Sequence, residues 1–408
     1  MKVLHTSDWH LGQELMDHPR SSQQEAFLSQ LLDIVVEHKP DALIVSGDIY
    51  QMANPSAEAK EMFLHAMLSI HHALPGMTIV ITSGNHDSAS QIAVHSPLWK
   101  EFNVHVMGGL KRLADGSANY AAHILPVGAD PLHPIGYIAA VPYVAASNYP
   151  TVPGEQLDAN QRMERYYQGL AAAVAERNEA EMPTVLMGHL TVCNALAHNV
   201  ADDVIGNIEG VDASVLDTGF DYVALGHIHK PGTWADGRMR YCGSPLACSF
   251  DEAEYPHSVS MVTLNGHERP VIEEIPVTDT TPLITYPAEP AEFDDAIEAL
   301  SQLTDDPCMM RLNILTEAFA PANGEMRVAE RLKELGKTNC QFCRFKLNIK
   351  DKEAANDHVA SLTADELASM EPIDLIKRYF EVKQTTFTPD MQEMIQEAIN
   401  QVTSEKAQ

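Results

Sequence analysis

The chain has 408 residues, 45% of them hydrophobic, with 57 acidic against 27 basic side chains and a formal net charge of −30. This predicts two or three domains with a sizeable core; no apolar run is long enough for a membrane span, and six cysteines in so long a chain exclude a disulfide framework. The acidity argues against tight DNA binding by this chain alone, because such binding rests on Lys and Arg at phosphates. Divalent ions would reverse the local sign, and a basic partner could supply the rest of a groove, so DNA stays open as substrate. With no basic-then-apolar leader at the start, a reduced, cytoplasmic protein is expected.

In chain order, the run Val3-Leu4 predicts a buried strand that ends at Asp8-Trp9-His10. A helix near Gln24–Glu37 carries Leu28, Leu31, Leu32 and Val35 on one face. The strand Ala42–Val45 leads into Gly47-Asp48. A helix over Pro55–Ala73 starts at a proline suited to a first turn. Its face of Met62, Phe63, Ala66, Met67 and Ile70 suits either the chain's own sheet or a homodimer contact. Strand Ile79–Ile81 leads into Gly84-Asn85-His86-Asp87, where glycine permits a sharp turn. Met163, Tyr166, Tyr167, Leu170 and Val174 mark a third helix. Val185–Met187 precedes Gly188-His189, and Tyr222–Leu225 precedes Gly226-His227-Ile228-His229.

After Pro231 the strands Met239–Cys242, Ser258–Leu264 and Val271–Ile275 lack intervening helices, so the sheet should become mixed. Pro276, Pro282, Pro287 and Pro290 read as a linker out of a first domain at 1–278. Residues 279–352 then predict a compact capping domain of βαββαβ-like order. Its strands lie near Leu283–Tyr286, Met309–Leu315 and Gln341–Ile349, and its helices near Ala291–Leu303 and Met326–Leu335. Residues 353–408 read as helices, with a capping-box pattern at Thr363 and Glu366. One carries Ile373, Ile376 and Phe380, the next Met391, Met394, Ile395, Ala398 and Val402. With five basic and twelve acidic residues in 351–408, these helices suit a partner's apolar groove better than phosphates.

The five polar motifs follow strands, and strand ends converge on one edge of a sheet. Any one motif is weak, and a buried, hydrogen-bonded histidine is the usual reading of a single one. That reading must hold many times independently here. Asp8, Asp48, Asn85, His10, His189, His227 and His229 are too many donors for one ion. They suit two ions that share a carboxylate, with Asp48 the natural bridge.

The five motifs resemble the calcineurin-like metallophosphoesterase superfamily. The opening Leu4-His5-Thr6-Ser7-Asp8-Trp9-His10-Leu11-Gly12-Gln13, with Tyr241-Cys242-Gly243-Ser244-Pro245 and Ser249-Phe250-Asp251-Glu252, more closely resembles the D-subunit family of SbcCD exonucleases. The resemblance implies an α/β four-layer sandwich, two mixed sheets flanked by helices. It implies that Asp8, His10, Asp48 and His229 hold one ion, and that Asp48, Asn85, His189 and His227 hold the second. His86 would contact the scissile phosphate and stabilise or protonate the leaving oxygen. Mixed nitrogen and oxygen ligands suit two Mn²⁺, with Fe or Zn as alternatives. The resemblance further implies 3′→5′ exonuclease and hairpin endonuclease activity in DNA repair, recombination and replication. The partners would be an SbcC-type ATPase and a second copy of the chain, in a heterotetramer. Many superfamily members carry an Asp where this chain has Gln51. An amide oxygen can accept a hydrogen bond from His86 but brings no charge.

Gly336-Lys337-Thr338 is no phosphate-binding loop, because Arg331 stands where the earlier glycine belongs. Cys340-X-X-Cys343 is one pair without a second half, and reads as structural. Lys230, Arg238 and Arg240 read as solvated surface or as phosphate contacts. Two other functions compete: a small-molecule phosphodiesterase or phosphatase on the same site, and a non-catalytic scaffold for DNA ends. Turnover of DNA against a cyclic nucleotide separates the first, bound metal with nuclease activity the second.

Overall fold

The computed structural model describes residues 1–151, 156–192, 211–317 and 319–350. The C-terminal helices expected beyond residue 353 lie outside the described residues. In chain order the strands are β1 (Lys2–Thr6), β2 (Glu14–Leu15), β3 (His18–Pro19), β4 (Ala42–Ser46), β5 (Thr78–Thr82), β6 (Val104–Met107), β7 (Ile124–Val127), β8 (Gly136–Ala140), β9 (Thr184–His189), β10 (Tyr222–Gly226), β11 (Gly232–Trp234), β12 (Met239–Tyr241), β13 (Ser258–Thr263), β14 (Val271–Pro276), β15 (Leu283–Glu292), β16 (Cys308–Thr316) and β17 (Cys340–Ile349).

Two six-stranded mixed sheets, ordered β14-β13-β1-β4-β5-β6 and β11-β12-β10-β9-β8-β7, share an apolar layer between them. The strands build it through their period of two. Along β4, Ala42 and Ile44 face the second sheet, while Leu43 and Val45 face the helices Ser21–His38 and Ala57–Ala73. Along β10, Tyr222 and Ala224 face inward, while Val223 and Leu225 meet the helix Ala159–Arg177. Both faces are covered, which is why these strands read as unbroken apolar runs. Burying one such side chain contributes about 1.5–3 kcal/mol, and a one-residue slip would reverse the facing of the whole strand. Register is thereby fixed, and with it the place where each strand stops.

The helix expected from Pro55 begins at Ala57, and the Ser56 side chain accepts the Ala59 N–H as its cap. A hydroxyl satisfies an otherwise unpaired N–H, which proline cannot do. Met62, Phe63, Ala66, Met67 and Ile70 are all buried in the chain's own core. The face expected to serve a dimer is therefore used inside the chain.

β15, β16 and β17 form a third, wholly parallel sheet. With the helices Phe293–Ala299 and Gly324–Glu334 its order is βαβαβ, in place of the βαββαβ-like order expected. Pro287 and Pro290 lie within β15 rather than in a linker. β15 is an edge strand whose register shifts between Tyr286 and Ala291, and edges and irregularities are where a strand tolerates proline. This sheet has its own core around Met310, Leu312, Ile314, Val328 and Leu332. It meets the main body through Leu283 and Met309 against Leu15, Ala247 and Phe250. Among the described residues no helix is long and apolar enough to cross a membrane.

Candidate metal centre

β1, β4 and β5 run parallel as neighbours in the first sheet, and β9 and β10 do so in the second. Their carboxyl-end turns carry all eight expected site residues to one edge. Main-chain bonds tie the turns together: the Asp8 N–H donates to Gly47 O at 3.0 Å, and the His10 N–H to Asp48 O at 3.1 Å. Asp8, His10, Asp48 and His227 adopt positive φ values of 54°, 47°, 50° and 97°. Such backbone costs roughly 1–3 kcal/mol for each non-glycine residue and persists only where its surroundings over-determine it. Gly84 serves a different end from the sharp turn expected. Its φ is ordinary, but a Cβ there would fall on the Asp48 carboxylate. Glycine lets the Asp48 and Asn85 loops touch.

Ligand atoms gather in two groups. In one, His10 Nε2 stands 3.1 Å from His229 Nε2. In the other, Asn85 Oδ1 lies 3.0 Å from His189 Nε2 and 2.9 Å from His227 Nδ1. Asp48 Oδ2 stands between the groups, 3.8 Å from His10 Nε2 and 3.4 Å from His189 Nε2. The Asp8 carboxylate lies alongside. It accepts the His227 N–H at 3.0 Å and the Ser7 hydroxyl, and is not among the atoms that converge within 4.8 Å. His86 does converge with His10 and Asp48, its ring centroid 4.9 Å from that of His10. Distance alone does not set it apart from the other histidines.

The donor chemistry fits divalent cations. His189 Nδ1–H donates to Ser46 O at 2.8 Å, so in a neutral ring Nε2 presents a lone pair to the oxygens of Asp48 and Asn85. Two Nε2 atoms face each other in the first group. A proton on one ring or a cation between them reconciles two ring nitrogens at this distance. The electrostatics carry the same demand. Burial opposes a charge on His189, but Asp48 and Asp8 outweigh it and push its pKa up to about 9. Burial and His229 lower His10 to about 3, and burial and His189 lower His227 to about 4. Burial also resists ionisation of Asp48, yet His189 and His10 hold it below the usual carboxylate range.

Outside the two groups, Glu252 Oε2 lies 3.1 Å from His229 Nδ1 and accepts the Cys248 N–H at 2.8 Å. The Asp87 carboxylate accepts the N–H groups of Ile49, Tyr50 and Gly84 at 3.1, 3.0 and 2.9 Å. It clamps the Asp48 loop to the Asn85 loop. His86 Nδ1–H donates to the Gln51 main-chain oxygen at 2.9 Å; the amide expected in that role is not used. Arg240 is neither solvated surface nor a phosphate contact. It is buried, bonded to Ser260, Thr233 and Glu274. Sequence reasoning gave no role to Asp87, Glu252 or Cys248. Asp87 sits inside a Gly-Asn-His-Asp motif and Glu252 closes the Ser-Phe-Asp-Glu run, but Cys248 carries no local signal.

Residues 1–231 match the family model of the calcineurin-like phosphoesterases, more than half of the chain, and the chain belongs to that family. It is a hydrolase with a dinuclear divalent metal site. Relatives named as D-subunits of the SbcCD nuclease match over most of its length. That of Rhodobacter capsulatus is 32% identical, over 74% of this chain and 76% of the relative. That of Escherichia coli K12 is 28% identical, over 78% and 79%. That of Bacillus subtilis is 30% identical, over 71% and 72%. Within the phosphoesterases the chain is a member of the SbcCD D-subunit family.

Proposed function

We propose that this chain is the Mn²⁺-dependent DNA nuclease subunit of a complex with an SbcC-type ATPase, acting in the cytoplasm in DNA repair, recombination and replication. It degrades duplex ends 3′→5′ and cuts single strands and hairpins, with ATP acting through the partner. The observation that carries the reading is the convergence of six donors, His10, Asp48, Asn85, His189, His227 and His229, from five strand ends, with Asp8 alongside, in a chain related to nuclease subunits over about three quarters of its length.

Asp8, His10, Asp48 and His229 hold one ion, and Asp48, Asn85, His189 and His227 hold the other. The position of Asp48 Oδ2 between His10 and His189 supports its bridging role. When bound, the two ions supply an activated water and neutralise phosphate charge. His86 is half-buried and tied through Nδ1 to Gln51 O, which leaves Nε2 to face the substrate. It holds a proton and delivers it to the leaving oxygen. Asp87 keeps the Asp48 and Asn85 loops in place during the reaction.

Residues 1–278 form the nuclease domain, 279–352 cap it, and 353–408 bind the ATPase. Two copies of the chain pair within a heterotetramer. Leu64, exposed on the helix Ala57–Ala73, and Val94, exposed on the same pocket wall, supply apolar surface for that contact. The test is DNA cleavage in Mn²⁺ by the chain alone and with its ATPase, with and without ATP, against turnover of a cyclic nucleotide. DNA cleavage that rises with partner and ATP is expected. Turnover of the cyclic nucleotide without cleavage of DNA overturns the reading. A chain truncated before Thr363 should still cleave DNA but no longer co-purify with the ATPase.

A further inference from the structure

Among the described residues, Cys248 is the one cysteine whose sulfur falls within a group of converging ligand atoms. Its Sγ, a ring nitrogen of His10 and a ring nitrogen of His229 lie within 4.8 Å of one another. Cys242 is fully buried and bonded to Ser7, while Cys308, Cys340 and Cys343 belong to the third sheet. His10 is itself 3% exposed, and its buried Nδ1 has no hydrogen-bond partner.

The backbone that presents this thiol is fixed on both sides. The Cys248 N–H donates to Glu252 Oε2 at 2.8 Å, the same oxygen that lies 3.1 Å from His229 Nδ1. Its carbonyl accepts from Gln13 Nε2 at 2.8 Å, and the preceding Ala247 carbonyl accepts from the buried Arg20. One carboxylate therefore sets both the imidazole of His229 and the main chain of Cys248. The sulfur donates weakly to the Leu246 carbonyl at 3.7 Å and lies within hydrogen-bonding reach of the His229 ring.

We propose that Cys248 is a thiolate ligand of the ion held by His10 and His229, a proposal that rests on the dinuclear reading of the site. Binding replaces the S–H bond with a sulfur–metal bond and releases the proton to solvent. A soft donor beside two imidazoles makes this position favour Zn²⁺ and Co²⁺ over Mn²⁺ more than oxygen and nitrogen donors alone would. The two ions of the pair then differ in metal preference. Removing the sulfur lowers the Zn²⁺-to-Mn²⁺ affinity ratio at one ion by about tenfold or more.

The experiment loads the metal-free full-length chain with Co²⁺ and records bound metal and absorption. A near-ultraviolet thiolate-to-cobalt band that grows with one of two bound equivalents is expected. It is lost in Cys248→Ser and kept in Cys343→Ser. Two equivalents bound without that band, or a band unchanged in Cys248→Ser, overturns the thiolate ligand and leaves the dinuclear site standing. Failure to bind Co²⁺ at all overturns both. Should Cys248→Ser not fold, iodoacetamide labelling of the wild-type chain with and without Zn²⁺, mapped by mass spectrometry, decides. Protection of Cys248 by Zn²⁺ supports the ligand, and equal labelling overturns it.

Discussion

His86 is held by the main-chain oxygen of Gln51, 2.9 Å from its Nδ1. A peptide carbonyl accepts that proton whatever side chain follows, so the tautomer is set without a carboxylate. Replacing Gln51 by Ala should therefore leave kcat nearly unchanged. His86→Ala should keep both ions yet lose about 10²–10⁴-fold in rate, the usual cost of a positioned acid or base. Metal analysis beside initial rates checks both. Loss of an ion from the His86 variant would make it a ligand and sink the assignment.

Asp48 and Asp87 should fail differently. Asp48→Ala removes the shared carboxylate, so activity disappears with at least one ion. Asp87→Ala leaves three N–H groups without their acceptor. Unpaired buried donors cost about 1–3 kcal/mol each. The metal-free Asp87 variant should unfold at clearly lower urea than wild type, with weakened binding of both ions. A urea midpoint equal to wild type would show that the clamp is not needed.

Glu252 touches only the His10 and His229 side of the centre. Glu252→Gln should weaken one ion by about 10–100-fold, the range for a partner that orients a metal-bound histidine. Calorimetry should resolve one weakened and one unchanged binding event. Equal weakening of both would contradict a one-sided role.

His5 predicts acid sensitivity of the fold itself. Burial, then Arg240, lowers its pKa to about 3, against a smaller opposing bond to the Leu225 backbone, and its Nδ1 is bonded to the Tyr222 hydroxyl at 2.9 Å. The unfolded chain takes up this proton near pH 6.5, and the folded chain does not until near pH 3. The contribution is therefore complete above the unfolded value and is lost as pH falls below it, by about 1.4 kcal/mol per unit. Urea midpoints of the metal-free chain near pH 7 and near pH 5 should diverge more in wild type than in His5→Gln. Equal divergence would place the acid sensitivity elsewhere.

Much of the centre was legible because its signals are local. An apolar run that ends in Gly-Asp or Gly-His states both the strand and the polar turn after it, and parallel strands must bring those turns to one edge. The dimer face misled because Met62, Phe63 and Ile70 look the same whether they meet a partner or the chain's own sheet. Pro287 and Pro290 misled because proline marks loops and edge strands alike.

The sequence by itself determined the alternation that buries both faces of β4 and β10, the strand ends, and the donors that follow them. Only the tertiary structure decided what stands around those donors. Glu252 meets His229 across 23 residues, Gln13 meets the Cys248 carbonyl across 235, and the Gln51 oxygen meets His86 across 35. No local pattern encodes such pairs. They exist because two sheets, packed face to face in fixed register, bring distant turns together over one edge.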